Sequence, residues 1–397
     1  MNILIATESP AASRLGGPGR FTPVLYKGLN DVDIKYSFLG MFAGYLYSDP
    51  EEIKYFDVSD DNKTNQSLIS ALKNNSVIRV VFGTALSMHK RRLNNKKLNE
   101  MGIDCIHAHD FRTVDLFSGF SGKIILTNHF KGSLYNECIQ YKDGMNKPWL
   151  KKYYLEIERR AIKRADVITF PSKSAQSLLE QDHPELASAI NGKAIVVYSG
   201  IVTPKTIGSG GNNEFGYKYV LNIGNHIPDK GVLDSIKVFN EIYGSQPEVN
   251  FINVGMHGIE TEKLMCEAQK LGLAERVHLL GIKPYNEVVN LLSHAECVLH
   301  TPKRVVFDLS LLEAMAMEVP VISSRAMGNV EALGDDHPFY VETGDESLSL
   351  LFDKQDFTDE NKMNCIVKQK NRFLDKFSFD VMLNGYLELY SKIVPPR

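Results

Sequence analysis

A chain of 397 residues exceeds the size at which a single hydrophobic core usually stops growing, so two domains of about 200 residues each are expected. At 43% hydrophobic and 23% charged residues the composition is that of an ordinary globular protein, and a net charge of -3 excludes a bulk attraction to nucleic acid. The five cysteines are widely spaced and form no Cys-x-x-Cys pair, which argues against a disulfide framework or a zinc site and fits a reducing, cytoplasmic setting.

The chain opens with Met1-Asn-Ile-Leu-Ile-Ala-Thr7, which lacks a basic leader and a cleavage site and reads as a first buried strand. No apolar run approaches the roughly 18 residues that span a bilayer. Asn62-Lys-Thr64 and Asn74-Asn-Ser76 spell the N-glycosylation pattern, which means little without a secretory signal.

Short apolar runs then alternate with helical stretches, the pattern of strand-helix-strand units on parallel sheets. In the first half, strands are expected at Ile3–Ala6, Val77–Phe82, Cys105–His107, Ile124–Leu126, Val167–Phe170 and Ala194–Val197. Helices are expected at Thr22–Leu29, Lys90–Met101 and Lys147–Arg164. Thr203 to Gly216 is rich in Gly and Asn and has no periodicity, and it reads as a linker. The pattern restarts with strands Tyr219–Ile223, Asn250–Val254, Val277–Leu280, Cys297–His300 and Val319–Ser323, and a last helix runs from about Phe377 to Ile393. The expected organisation is an α/β chain with one Rossmann-like domain over 1–203, a linker over 204–216, a second Rossmann-like domain over 217–375, and a C-terminal helix over 376–397. Two open parallel sheets facing each other place a ligand where strand carboxyl ends and helix N-termini converge, so the cleft between the halves is the expected site.

Two stretches carry the chemistry. In Tyr219-Val-Leu-Asn-Ile-Gly-Asn-His-Ile-Pro-Asp-Lys-Gly-Val-Leu-Asp234 a strand ends at Gly224 and a helix begins near Gly231. That turn can bring backbone N–H groups and the Lys230 ammonium onto a phosphate, or it is an ordinary charged turn with an exposed lysine. From Thr301-Pro-Lys-Arg304 through Leu311-Leu-Glu313 to Pro320-Val-Ile322, an irregular loop enters an apolar helix holding one carboxylate. Glu313 there is either paired within the protein or accepts hydroxyl groups from a ribose.

Gly-x-x-x-x-x-Lys-Gly at 224–231, Val277-His-Leu-Leu-Gly281, Leu312-Glu-Ala-Met-Ala316 and Pro320-Val-Ile322 occur in that order. They follow Gly16-Gly17, Ile106-His-Ala-His-Asp110, Thr127-Asn-His129, Arg164-Ala-Asp-Val-Ile168 and Val197-Tyr-Ser-Gly200. The chain therefore resembles glycosyltransferase family 4, retaining enzymes of the GT-B fold, with a mannosyltransferase-like overall pattern. The resemblance implies that Lys230 contacts a donor diphosphate, Glu313 the ribose, and backbone groups around Ile282 and Lys283 the base. It further implies that Gly16 and Gly17 lie against the phosphates, that Gly224 and Asn225 line the turn, that the amides of Leu309 and Ser310 support the departing phosphate, and that His129 sits over the transferring sugar. His129, Lys230 and Glu313 are the catalytic candidates.

Two positions depart from the family pattern. Asn225 stands where an arginine usually follows the strand glycine, and Val305 stands where a first glutamate is expected eight positions before Glu313. Arg20, Arg304 with its neighbour Lys303, and Asp308 are the candidates to compensate. The reading is a metal-independent hexosyltransferase, with no cofactor beyond a nucleotide-sugar co-substrate, of which GDP-mannose is favoured, and with a glycan, lipid or protein-linked glycan as acceptor. A non-catalytic GT-B binding subunit and a sugar-nucleotide epimerase are the alternatives.

Asp31-Val-Asp33 spells a metal-binding pair but reads as a solvated turn, and His107 with His109 shows no third ligand in the neighbouring sequence. No enzymic nucleophile stands out, so retention would follow a same-face route in which the departing phosphate helps to accept the acceptor's proton. The basic run Lys90–Lys97 with Lys147, Lys151 and Lys152 is a solvated face or a contact for anionic lipid, and exposed helices could pair two copies of the chain.

Overall fold

The computed structural model describes residues 2–7, 24–29, 31, 37–42, 45–47, 95–136, 147–205, 215–343 and 348–393. Gly16, Gly17, Arg20, the strand expected at Val77–Phe82, both glycosylation patterns, Asp33 and the basic run up to residue 94 lie outside the described residues. The chain divides into two compact units, one made of Met1–Val197 with Leu383–Arg397 and the other of Tyr198–Met382. The change of unit falls ahead of the expected linker at 204–216. The reason is that the Ile201 amide bonds to the Phe377 carbonyl and the Phe379 amide to the Ile201 carbonyl, so 198–205 is held by second-unit residues.

In the first unit the strands are β1 (Asn2–Thr7), β2 (Ser37–Phe42), β3 (Tyr45–Tyr47), β4 (Ile103–Ala108), β5 (Lys123–Thr127), β6 (Val167–Phe170) and β7 (Ala194–Val196), in the order β3-β2-β1-β4-β5-β6-β7. All neighbours are parallel except β2 and β3, an antiparallel edge that the apolar pattern did not announce. Ile3–Ile5 and Ile124–Leu126 are fully buried, as a strand covered on both faces requires. Helices α1 (Asn95–Glu100), α2 (Phe111–Leu116), α3 (Pro148–Arg164), α4 (Lys173–Asp182) and α5 (Ala187–Asn191) connect them. Proline sits at the start of α3, where its missing N–H costs nothing, and Leu150, Tyr154, Ile157 and Ala161 recur at three- and four-residue steps as its buried stripe. Asp110 caps α2 by accepting from the Thr113 amide at 2.8 Å, and Ser172 caps α4 from the Ala175 amide at 3.0 Å.

The second unit repeats the plan with β8 (Lys218–Ile223), β9 (Val249–Val254), β10 (Val277–Leu279), β11 (Val298–His300), β12 (Val321–Ser324), β13 (Tyr340–Thr343) and β14 (Leu348–Leu350), in the order β10-β9-β8-β11-β12-β13-β14. Only β13 and β14 pair antiparallel. Its helices are α6 (Val232–Tyr243), α7 (Thr261–Lys270), α8 (Tyr285–Ser293), α9 (Leu309–Ala316), α10 (Met327–Leu333) and α11 (Asp359–Lys376). The last helix, α12 (Phe379–Ile393), starts in the second unit and belongs to the first from Leu383 onward. One apolar cluster packs β8 and β9 against α9 and α11 through Leu221, Ile252, Leu312 and Phe373, and another packs them against α6 through Val220, Phe251, Ile236 and Phe239.

The β8–α6 turn is built on glycine. Gly231 has φ of 60° and is the N-cap of α6, and a Cβ there would stand 1.8 Å from the Thr301 carbonyl oxygen. Gly231→Ala is expected to lower the unfolding free energy by about 2–4 kcal/mol, combining a left-handed backbone with displacement of the Thr301 strand end. Denaturant titration checks this, and a loss below about 0.5 kcal/mol, the range of an ordinary surface substitution, would contradict it.

Candidate active site

The candidate donor residues of the second unit gather at the carboxyl ends of its central strands. β8 is followed by Gly224 and Asn225, and a short 3-10 turn, Pro228–Lys230, delivers the lysine before α6 begins. Beneath this turn lies a buried polar network. Asn222 donates to the Ser235 hydroxyl (3.0 Å) and to the Leu299 carbonyl (2.8 Å), and Asn253 donates to Asn222 (2.7 Å) and to the Gly224 carbonyl (3.0 Å). Thr301 accepts from Ser235 (2.7 Å) and donates to the Gly231 carbonyl (2.8 Å), which ties the ends of β8, β9 and β11 together. Sequence reasoning did not single out Asn222 and Asn253. The signal was a polar residue inside each apolar strand run, which persists in a core only when its hydrogen bonds are met.

Lys230 donates to Asp308 Oδ2 at 2.5 Å. Asp308 is the N-cap of α9 and accepts through Oδ1 from the Ser310 amide (3.3 Å) and hydroxyl (3.0 Å). Burial pushes the Asp308 carboxyl up, but Lys230, His300 and the Ser310 hydroxyl outweigh it and hold the group well below the usual carboxylate range. The carboxylate expected as a compensating group therefore engages the lysine and the helix start. The same cap already engages one of the two amides, Leu309 and Ser310, expected at the helix start.

Glu313 is buried on the next turn of α9, with 8% of its surface exposed. Val305 is buried as an apolar residue, and its carbonyl accepts from the Gly328 amide at the start of α10. Asn225 accepts from the Met256 amide at 2.8 Å, latching the loop after β9 onto the turn in place of the expected cationic fork. Gly255 makes that approach possible, since a Cβ there would stand 2.0 Å from the Gly224 carbonyl. Ile282 is exposed beyond β10, and Lys283 beside it pairs with Glu287 at 3.3 Å. Lys303 lies 3.8 Å from Asp234, and Arg304 is half-buried in the same loop.

In the first unit, His129 follows β5 and places Nε2 3.0 Å from His109 Nδ1, with the rings stacked at 5.3 Å. His107, at 4.3 Å from the His109 ring, is held by Tyr390 (2.6 Å) and Thr127 (2.7 Å). The third histidine that the local sequence lacked thus arrives from the next strand. His109 and His129 stack while the His107 ring is tilted at 35° to His109, and among the described residues no group of three or more histidine, cysteine, aspartate or glutamate side chains could hold a metal ion. Burial keeps all three imidazoles neutral, drawing His107 down to about 3, His129 to about 4, and His109 well below its ordinary value. After His129 the chain is strapped down: Asp182 accepts from the Ser133 amide (2.6 Å), and Glu158, paired with His183 at 2.5 Å, accepts from the Tyr135 amide (3.3 Å).

Two Rossmann-like sheets, the second with a cation and a capped helix start at its carboxyl edge, define a GT-B glycosyltransferase. The family described as Glycosyltransferase Family 4 matches residues 76–203, and that described as Glycosyl transferases group 1 matches residues 209–355. The chain belongs to these glycosyltransferases, and the two matches together cover more than half of it. It is similar to the capsular polysaccharide biosynthesis glycosyltransferase CapM of Staphylococcus aureus, at 24% identity over 44% of this chain and 50% of that protein, so the match spans half of CapM's length. An uncharacterized glycosyltransferase of Methanocaldococcus jannaschii is 20% identical over 78% of this chain and 82% of its own. Among solved structures, HepE of Anabaena in complex with UDP is 18% identical with a TM-score of 0.66, covering 99% of this chain and 100% of that one. Among the described residues no helix is long and apolar enough to cross a membrane.

Proposed function

We propose that this glycosyltransferase moves a hexosyl group, with retention of configuration and without a metal ion, from a nucleoside diphosphate sugar whose diphosphate lies between Lys230 and the start of α9. One observation carries this reading: the Lys230 ammonium is fixed at the N-terminus of α9, on the carboxyl edge of the second sheet, where a cation and helix amides together suit a phosphate. Glu313, one turn into the same helix, would accept hydrogen bonds from the ribose hydroxyls. Leu309, Ser310 and Lys230 would stabilise charge on the departing diphosphate, which itself helps to accept the acceptor's proton. His129, neutral and fixed by His109, suits a positioning role toward the sugar. GDP-mannose is the first donor to test, on overall likeness to mannosyltransferases. UDP-sugars are the second, because HepE, which shares the fold, was solved with UDP. Exposed Trp149 among Lys147, Lys151 and Lys152 at the start of α3 fits a lipid-linked acceptor.

Calorimetric titration of the metal-free protein with GDP-mannose, UDP-glucose and UDP-N-acetylglucosamine tests the reading. One donor is expected to bind saturably, and Glu313→Ala to weaken it about tenfold or more through loss of charge-assisted hydrogen bonds. The second reading, a binding subunit without turnover, draws on the neutral Asn225 tied to Met256 and on the buried Val305. Failure of every donor to bind would favour it.

A further inference from the structure

We propose that Asp308 is a resident anion of the diphosphate cradle, occupying Lys230 when no nucleotide is bound and exchanging it for His300 when one binds. The inference rests on the donor-site reading above. Asp308 makes the contacts that a phosphate oxygen pair would make there: one oxygen on Lys230 at 2.5 Å, the other on the amide and hydroxyl of Ser310 in the first turn of α9. A nucleotide diphosphate entering the cradle meets a carboxylate that is already ionised and already holds the cation, so the two anions compete.

The second half of the exchange is prepared by His300, the last residue of β11. It is 3% exposed, its Nε2 has no hydrogen-bond partner, and that nitrogen lies 3.9 Å from Asp308 Oδ2. A buried polar nitrogen left without a partner carries a real cost, and as Nε2–H this one is a ready donor to a displaced carboxylate. A small rotation of the Asp308 side chain would bring its oxygen from the lysine to the imidazole while the other oxygen keeps the helix cap. The carboxylate then remains compensated inside the protein after the lysine has passed to the diphosphate.

Calorimetric titrations of UDP and of GDP into the full chain test this, using the wild type, Asp308→Asn, His300→Gln and the double variant. Asparagine preserves the helix cap, and Asp308→Ser provides a second capping replacement should the first fold poorly. Removing the resident charge is expected to tighten nucleotide binding on the order of tenfold, which is about 1.4 kcal/mol. His300→Gln is expected to weaken binding in the wild type and to have no effect in the Asp308→Asn background, because the parking place matters only while there is a carboxylate to park. Binding unchanged or weakened by Asp308→Asn, with thermal unfolding retained, would overturn the inference alone and make Asp308 a positioning residue for Lys230. No binding of either nucleotide by the wild type and Asp308→Asn alike would overturn the donor site and the inference with it.

Discussion

Lys230→Ala is expected to reduce kcat/KM for sugar transfer by about 10²–10³, the scale set by removing one preorganised group aimed at charge developing in the transition state. The lysine is held at 2.5 Å from Asp308 at the start of α9, with only a quarter of its side chain exposed, so its ammonium already lies in the cradle before the donor arrives. Its removal has a second consequence. Asp308 loses the cation that contributes most to keeping it ionised and is left largely buried beside His300. Lys230→Ala is therefore also expected to destabilise the second unit by about 1–3 kcal/mol, the cost of an uncompensated, partly buried charge. Combining it with Asp308→Asn should restore the stability and not the activity, which separates the two effects in steady-state kinetics and denaturant titration. Activity of Lys230→Ala within a few-fold of the wild type would rule out its role at the diphosphate.

The second large effect is on stability in acid. His107 is held down to about 3, and His129, His300 and His337 to about 4, chiefly by burial in each case. In the unfolded chain each titrates near its ordinary value, so between pH 6.5 and about 4 the unfolded state binds more protons than the folded one. Stability is then complete above pH 6.5 and is lost as the pH falls through that window. At about 1.4 kcal/mol per tenfold change in protonation, and leaving out the half-buried His129, the expected loss between pH 7 and 4.5 is on the order of 7 kcal/mol. That is comparable to the whole stability of many domains. His107 and His129 belong to the first unit and His300 and His337 to the second, so both units should weaken together. Denaturant titrations at several pH values would show it, and a flat profile from pH 7 to 4.5 would exclude it.

The central strands were legible because a strand covered on both faces must be apolar throughout. β6 was read with its full extent, and β1, β5, β8 and β9 to within a residue or two. The antiparallel edges β2–β3 and β13–β14 were not, since edge strands need no continuous apolar run and three residues such as Leu348–Leu350 show no period. Among site residues, Lys230 and Glu313 stood out locally, one in a turn between strand and helix, the other as a lone carboxylate on an apolar helix. What each of them meets did not stand out. His129 reaches His109 because β4 and β5 lie parallel with His107 opposite Ile125, and Lys230 reaches Asp308 across 78 positions because β8 and β11 are neighbours, with Leu221 opposite Val298. Periodicity and turn chemistry act over a few residues and so are written in the sequence. Strand order and register are set by how whole helices and strands share one core, and only the tertiary structure decided which charge would face which.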